Sequence, residues 1–366
     1  MDSITPANQF EVRLNPSAAS DDERVAAMAA PAFGEVFTDH MARATWTQSE
    51  GWGDRRIEPL SDLALHPGAT ILHYGQQAFE GLKAYVHEDR SVWLFRPEAN
   101  AARLAASAAR MALPAVSEED FLAAIEALVA TDRAWVPSAA ESSLYLRPLL
   151  IGTEPTLSVR GSQQVEFLVM ACPVGAYFPN GVKPVSIWVA QGFHRAGPGG
   201  TGTAKSAGNY AASLLPQQQA QDNNCQQVLF LDAREDRYIE ELGGMNVFIV
   251  HRDGSVLTPR LTGTILEGVT RSSVITLLKE SGREVSERDV TLEELRAGID
   301  SGDISEVFAC GTAAVVTPLG SLKSPDFNVV VGDGSAGDVT MGVREALTDI
   351  YYGRAEDTHG WMRRIG

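Results

Sequence analysis

Three features of the chain predict an α/β fold in two domains. Its 366 residues are more than one ordinary core usually holds. Strand-like and helix-like patterns alternate from about residue 34 onward. The stretch "AYFPNGVKP" sets two prolines and an Asn-Gly pair together, which breaks any regular element. That break places a linker at 176–184. It leaves a loose lead-in over 1–33, a smaller domain over 34–175 and a larger one over 185–366.

Bulk properties narrow the function. A hydrophobic content of 44% and a charged content of 21% suit a globular protein with a full core. The net charge of -17 argues against nucleic acid and anionic membrane surfaces as partners. It does not exclude small anions, because a local cationic pocket can override the global field. The three cysteines, Cys172, Cys225 and Cys310, sit in or beside apolar runs, as buried thiols in a reducing compartment do. No apolar run reaches 18 residues, and no basic start precedes an apolar block at the N-terminus. A cytoplasmic protein with no membrane span is expected, and no metal.

Along the chain, "SVWLFRPEANAARLAASAARMAL" reads as a strand turning into a helix, with Asn100 as its N-cap. "SEEDFLAAIEALVATD" opens with Ser117 and lines up Leu122, Ile125, Leu128 and Val129 on one helical face. "SSLYLRPLLIG" and "QQVEFLVMACPVG" read as strands. Beyond the linker come the strand "VSIWVAQ", a glycine-rich loop, and a helix from Asn209. "QQVLFLDA" and "GMNVFIVHRDG" are strands, and "EGVTRSSVITLLKESG" is a helix stopped by Gly282. Thr291 and Glu294 form a capping-box pattern. "ISEVFACGTAAVV" is a strand entering a small-residue turn, and "MGVREALTDIYYGR" is a helix.

The loop "GPGGTGTAKSAGNY" admits two chemistries. As a phosphate loop it is one residue short: Ala204 stands where the second glycine of G-x-x-x-x-G-K-[ST] belongs. "VLFLD", ending in Asp232, would then be the magnesium-binding strand. Alternatively, Lys205 is a lysine presented for covalent chemistry, with a phosphate held elsewhere. Two places suit such a phosphate. One is the helix that begins after Gly268 with Val269 and Thr270, whose free N–H groups and dipole favour an anion. The other is the turn Gly311-Thr312-Ala313. An aldehyde-bearing phosphate cofactor, pyridoxal 5'-phosphate, fits this second arrangement, with Lys205 as its Schiff-base partner. Glu240 and Glu241 offer a carboxylate for its ring nitrogen.

The stretches "HYGQQAFEGLKAY", "FRPEANAARL", "SLYLRPLLIGTEP", "CPVGAYF", "AKSAGNY", "EELGGMN", "LEGVTR" and "CGTAAVV" occur in one order. Together they make the chain, from about Phe37 to the C-terminal helix, resemble the branched-chain-amino-acid aminotransferases of the fold-type IV pyridoxal-phosphate class. The resemblance implies a smaller and a larger α/β domain with the cofactor between them. It implies that Lys205 is the Schiff-base lysine and proton shuttle, that Glu241 pairs with the pyridine nitrogen, and that Tyr210 faces the phenolic oxygen. It further implies that Arg103, Gly268, Val269, Thr270 and Thr312 hold the phosphate, with Leu266 packed on the ring. Tyr74, Phe79, Lys83, Tyr145, Arg147 and Tyr177, with Thr312 and Ala313, would line the substrate pocket.

The implied reaction is reversible amino transfer between leucine, isoleucine or valine and 2-oxoglutarate. It runs in a homodimer, with amino acids and 2-oxo acids as the small-molecule partners. Arg147, beside Tyr145 on "YLRP", is the group expected to meet the second carboxylate of glutamate. The chain departs from the family at Glu267, where proline is usual, and at Gly244, where several relatives have threonine. Ala314 and Thr317 stand where mammalian members carry a redox-sensitive cysteine pair, so no such switch is expected. The rivals are the D-amino-acid transaminases and aminodeoxychorismate lyases with the same cofactor, and a nucleotide hydrolase built on the defective loop.

Overall fold

The computed structural model describes residues 10–29, 31, 33–176 and 181–366. The chain divides into two compact units. The first comprises 1–177, 204–207 and 350–366, and the second 178–203 and 208–349. Two segments therefore leave the larger half of the sequence and fold with the smaller one. One is the short piece containing Lys205. The other is the C-terminus, whose strand Met362–Ile365 pairs antiparallel with Val92–Phe95. The boundary at 185–366 assumed a contiguous domain, and this return of the chain corrects it.

Among the described residues, each unit is built on a nine-stranded sheet. In the first, the long strands His40–Thr47, Gln164–Val174 and Ser143–Gly152 lie at the centre, the middle one antiparallel to both of its neighbours. The helix Glu118–Thr131 packs its face into the same core as Ala42, Ile57, Phe167 and Val169. Leu122, Ile125, Leu128 and Val129 are buried there as the periodicity predicted, and Phe121 joins them. Each such side chain contributes about 1.5–3 kcal/mol on burial. Ser117 caps this helix, its hydroxyl accepting from the Asp120 N–H at 3.0 Å.

Three local expectations are corrected. The helix over Pro97–Arg110 starts three residues before Asn100, with Pro97 in its first turn and Arg96 as N-cap. Proline at that position has no N–H to lose and a preset φ, so it outranks asparagine as a start signal. The lead-in is not all loose. Strand Glu11–Val12 pairs with the first sheet, and helix Asp21–Met28 carries a full capping box from Ser20 and Glu23. At Thr291 only half of the box forms: the Thr291 hydroxyl accepts from the Glu294 N–H, while the Glu294 carboxylate pairs with Arg288.

The second sheet is mixed. Val185–Val189 lies parallel to both Gln227–Leu231 and Val315–Ser324. Asn246–His251 runs antiparallel to Ile304–Gly311. Its core gathers Val247, Ile249, Leu257, Leu295, Ile299, Ile304 and Val307. The helix Val269–Glu280 ends at Gly282, whose φ of 80° suits glycine. Among the described residues, no helix is long and apolar enough to cross a membrane.

Candidate active site

In the first unit, the segment carrying Lys205 is held through its backbone. The Lys205 N–H donates to Ser107 Oγ at 2.9 Å, and its carbonyl accepts from the Phe79 N–H at 2.9 Å. Two residues on, the Ala207 N–H donates to Gln77 Oε1 at 2.8 Å. These bonds fix the main chain and leave the side chain to project over Phe79, with Nζ 5.0 Å from the ring centroid. Lys205 is half-buried, between buried Ala204 and Ser206.

Glu80 follows Phe79 and is fully buried. Its carboxylate accepts from Arg103 Nε at 2.7 Å and Nη2 at 2.9 Å, and from Asn100 Nδ2 at 2.7 Å. Arg103 is thus oriented by an acid 23 positions away. Across the strand Ser143–Gly152, Tyr145 and Arg147 share a face, as their spacing predicted: Arg147 Nη2 donates to the Tyr145 hydroxyl at 3.0 Å. The Arg147 guanidinium also stacks over Phe79, 4.7 Å from its centroid. Lys83 is buried and lies opposite Tyr145 in the register. Tyr145 and Arg147 open onto a pocket of about 220 Å³, closed by Phe33, Phe37, Met170 and Cys172. Burial pushes the Cys172 thiol pKa up. Tyr74 is 40% exposed, its hydroxyl donating to the Leu157 carbonyl. Tyr177 lies outside the described residues.

In the second unit, Glu240 and Glu241 occupy the short strand Ile239–Leu242. Alternation sends them to opposite faces, yet both are buried. Glu240 accepts from the Thr264 hydroxyl, and burial raises its pKa above the ordinary 4.5. Glu241 pairs with the buried Arg195 at 2.5 Å and accepts from the Leu266 N–H at 3.2 Å. A guanidinium and an amide N–H both favour the ionised carboxylate. Asn246 Nδ2 donates to the Leu266 carbonyl at 3.1 Å, so Leu266 is pinned from both sides. Tyr210 lies against Gly244.

Gly268 is the N-cap of the helix Val269–Glu280 and makes no side-chain cap. A Cβ there would collide with Asn246 Oδ1, which is why glycine precedes Val269 and Thr270. Thr312 and Ala313 form the turn between Ile304–Gly311 and Val315–Ser324, half-buried. Gly311 packs against Met245 and Gly244, bringing this turn beside the Glu241 hairpin. Val315, which closes the turn, has a φ of 61°, a strained value for a β-branched residue.

The nucleotide reading fails on Asp232. Its carboxylate accepts from the backbone N–H groups of Arg234, Glu235, Arg237 and Tyr238, closing its own turn. An acid so occupied is not disposed to hold a magnesium ion. A family model for amino-transferase class IV matches residues 77–322. The chain belongs to the class IV aminotransferases.

This class IV chain is 48% identical over 361 residues to the branched-chain-amino-acid aminotransferase of Mycolicibacterium smegmatis, covering 98% of each chain. It is 46% identical to that of Mycobacterium tuberculosis, again over 98% of each. Among solved structures it resembles the Escherichia coli branched-chain amino acid aminotransferase, with a TM-score of 0.72 and 30% identity. That match covers 89% of this chain and all of the other. The Thermobaculum terrenum branched-chain amino acid aminotransferase, solved in its PLP-form, matches at a TM-score of 0.71 and 25% identity, over 88% of this chain and 98% of that one.

Pyridoxal 5'-phosphate is the cofactor of this class, and the residues fit it. A half-buried lysine on a fixed backbone suits a Schiff base, and a buried carboxylate paired with a guanidinium suits a ring nitrogen. A helix start without a side-chain cap suits a phosphate. Glu80 and Arg195, the partners of the candidate residues Arg103 and Glu241, are what sequence reasoning passed over. Each acts on a residue far along the chain, and neither sits at a motif position that marks a role. The "FEG" run around Glu80 was the available signal.

Proposed function

We propose that this chain is a branched-chain-amino-acid transaminase that moves an amino group between leucine, isoleucine or valine and 2-oxoglutarate. The observation that carries the reading is Arg147. Its guanidinium sits among Phe79, Tyr145 and the apolar pocket wall, and its Nε is buried with no hydrogen-bond partner among the described residues. Such a wall accepts a branched aliphatic side chain, and such a cation accepts a carboxylate. One pocket therefore serves both substrates.

Pyridoxal 5'-phosphate, bound through Lys205, supplies the electron sink for the Cα–H bond. Lys205 and Arg103, Tyr210, Glu241 and Leu266, and Gly268, Val269, Thr270 and Thr312 are the residues that would hold it. The chain's own groups do the rest. Glu241, paired with Arg195 and the Leu266 N–H, would face the ring nitrogen. Lys205 Nζ would be the base that takes the proton from the substrate Cα. Phe79, Tyr145 and the pocket wall keep water from the side-chain end of the substrate.

We place the enzyme in the cytoplasm, in keeping with its three buried free cysteines. We also infer a homodimer. Leu157 and Val159 are 67% and 85% exposed. Leu72 and Tyr74 are exposed as well, and the Tyr74 hydroxyl donates to the Leu157 carbonyl. A second copy is the occupant that would cover these apolar side chains.

The test is spectroscopic. The loaded enzyme is mixed with L-leucine, L-glutamate or D-leucine in the absence of any oxo acid. Both L-amino acids should bleach the visible band, and D-leucine should leave it. Bleaching by D-leucine, or by L-glutamate alone, would sink the branched-chain reading.

A further inference from the structure

A role for Glu80 beyond its own ion pair rests on the reading of Lys205 as the cofactor lysine. One face of the helix Pro97–Arg110 carries Asn100, Arg103 and Ser107, spaced as neighbours along a helix. Asn100 and Ser107 are buried, and the Arg103 side chain is only 11% exposed. Helix faces turned inward are ordinarily apolar; this one serves a single purpose. Asn100 and Arg103 hold the Glu80 carboxylate, and Ser107 holds the Lys205 N–H. The Gly81 N–H adds a further donor to Glu80 at 3.1 Å.

The surrounding charges are cationic. Arg103 comes from the helix, Arg147 from the strand Ser143–Gly152, and Lys205 from the 204–207 segment. Arg147 and Lys205 both lie over the ring of Phe79, the residue before Glu80. Lys83 is buried three positions on, and the Tyr145 hydroxyl packs against Gly81. Burial alone would raise the Glu80 pKa, but Arg103 and then the Lys205 ammonium outweigh it and hold it below the usual carboxylate value. A buried ion pair is weak evidence for stability, since apolar replacements often do as well. Its retention at this point calls for another role.

We infer that Glu80 is a positioning residue with two effects. It fixes the plane of the Arg103 fork for an anionic ligand, and its charge favours the cationic form of the Lys205 nitrogen when that nitrogen carries the cofactor.

Glu80→Gln and Glu80→Asp separate the two. The readouts are the pyridoxal 5'-phosphate dissociation constant and the pH midpoint of the visible band. Glu80→Gln should weaken cofactor binding roughly ten-fold or more, since a charge-assisted fork is lost. It should lower the spectral midpoint by about one pH unit, since an adjacent anion no longer favours the cation. Glu80→Asp keeps the charge but retracts the carboxylate. Its midpoint should stay with wild type while its affinity falls. A role in packing alone would move the melting temperature and leave the midpoint in place. An unchanged midpoint and an unchanged affinity in Glu80→Gln would overturn the inference. Should Glu80→Gln fail to fold, the affinity of Glu80→Asp decides, and wild-type affinity there overturns it equally. A wild-type protein with no visible band would instead bring down the reading of Lys205 itself.

Discussion

In the proposed reading, Lys205 is the residue on which the chemistry turns. Its backbone is tied to Ser107 and Phe79, so removing the side chain leaves the segment anchored. Lys205→Ala should fold, bind the free cofactor and lose turnover entirely. Borohydride reduction of the wild type should fix the cofactor to the peptide containing Lys205, and labelling at another lysine would refute the assignment. Glu241→Gln should lose several orders of magnitude in turnover, because a neutral amide does not hold the ring nitrogen protonated. Its neighbour behaves differently. Folding raises the Glu240 pKa, so ionising it costs the folded state, and that cost grows as pH rises above about 4.5. Glu240→Gln keeps an acceptor for the Thr264 hydroxyl and removes the cost. Thermal melts should show the variant gaining on wild type as pH rises from 4.5, and converging below it. Lys205 and Glu241 could be proposed from the sequence because short contiguous motifs carry them. The partners that tune them were not: Arg195 and Glu80 reach their targets only after the chain has folded.

At the scale of elements, the helix Glu118–Thr131 was readable from the spacing of its large apolar residues and the strand Ser143–Gly152 from a short apolar run bounded by polar residues and glycine. The start of the Pro97–Arg110 helix was misread because Asn100 resembles a cap while acting as a buried donor to Glu80. A polar residue's tertiary partner is invisible to local rules. The Ser117 cap is testable: Ser117→Ala should cost about 1 kcal/mol of stability with activity intact. The meeting of Gly81 with Tyr145 gives a second test. A Cβ at residue 81 would run into the Tyr145 hydroxyl. Gly81→Ala should therefore displace the ring and break its bond to Arg147. The Michaelis constants for leucine and glutamate should both rise, by roughly ten-fold or more for one charge-assisted hydrogen bond. Unchanged constants would show that Tyr145 does not line the substrate pocket.

For the whole molecule, the α/β class and two-part organisation followed from length, alternation and one Pro-rich break. The return of Met362–Ile365 to the first sheet did not, because an edge strand of four residues leaves no periodic trace. The exposed apolar residues Leu72, Tyr74, Leu157 and Val159 bear on the proposed assembly. Val159→Asp should shift the sedimentation profile from dimer toward monomer and lower activity with it, and an unaltered dimer would place the interface elsewhere. The central claim, that one site passes nitrogen from a branched amino acid to a dicarboxylic oxo acid, is met most directly by isotope transfer. The enzyme is incubated with 15N-labelled L-leucine and 2-oxoglutarate, and both products are quantified by mass spectrometry. The account predicts labelled glutamate and the branched oxo acid in equal amounts, with no ammonia released. Free labelled ammonia, or no labelled glutamate, would contradict it.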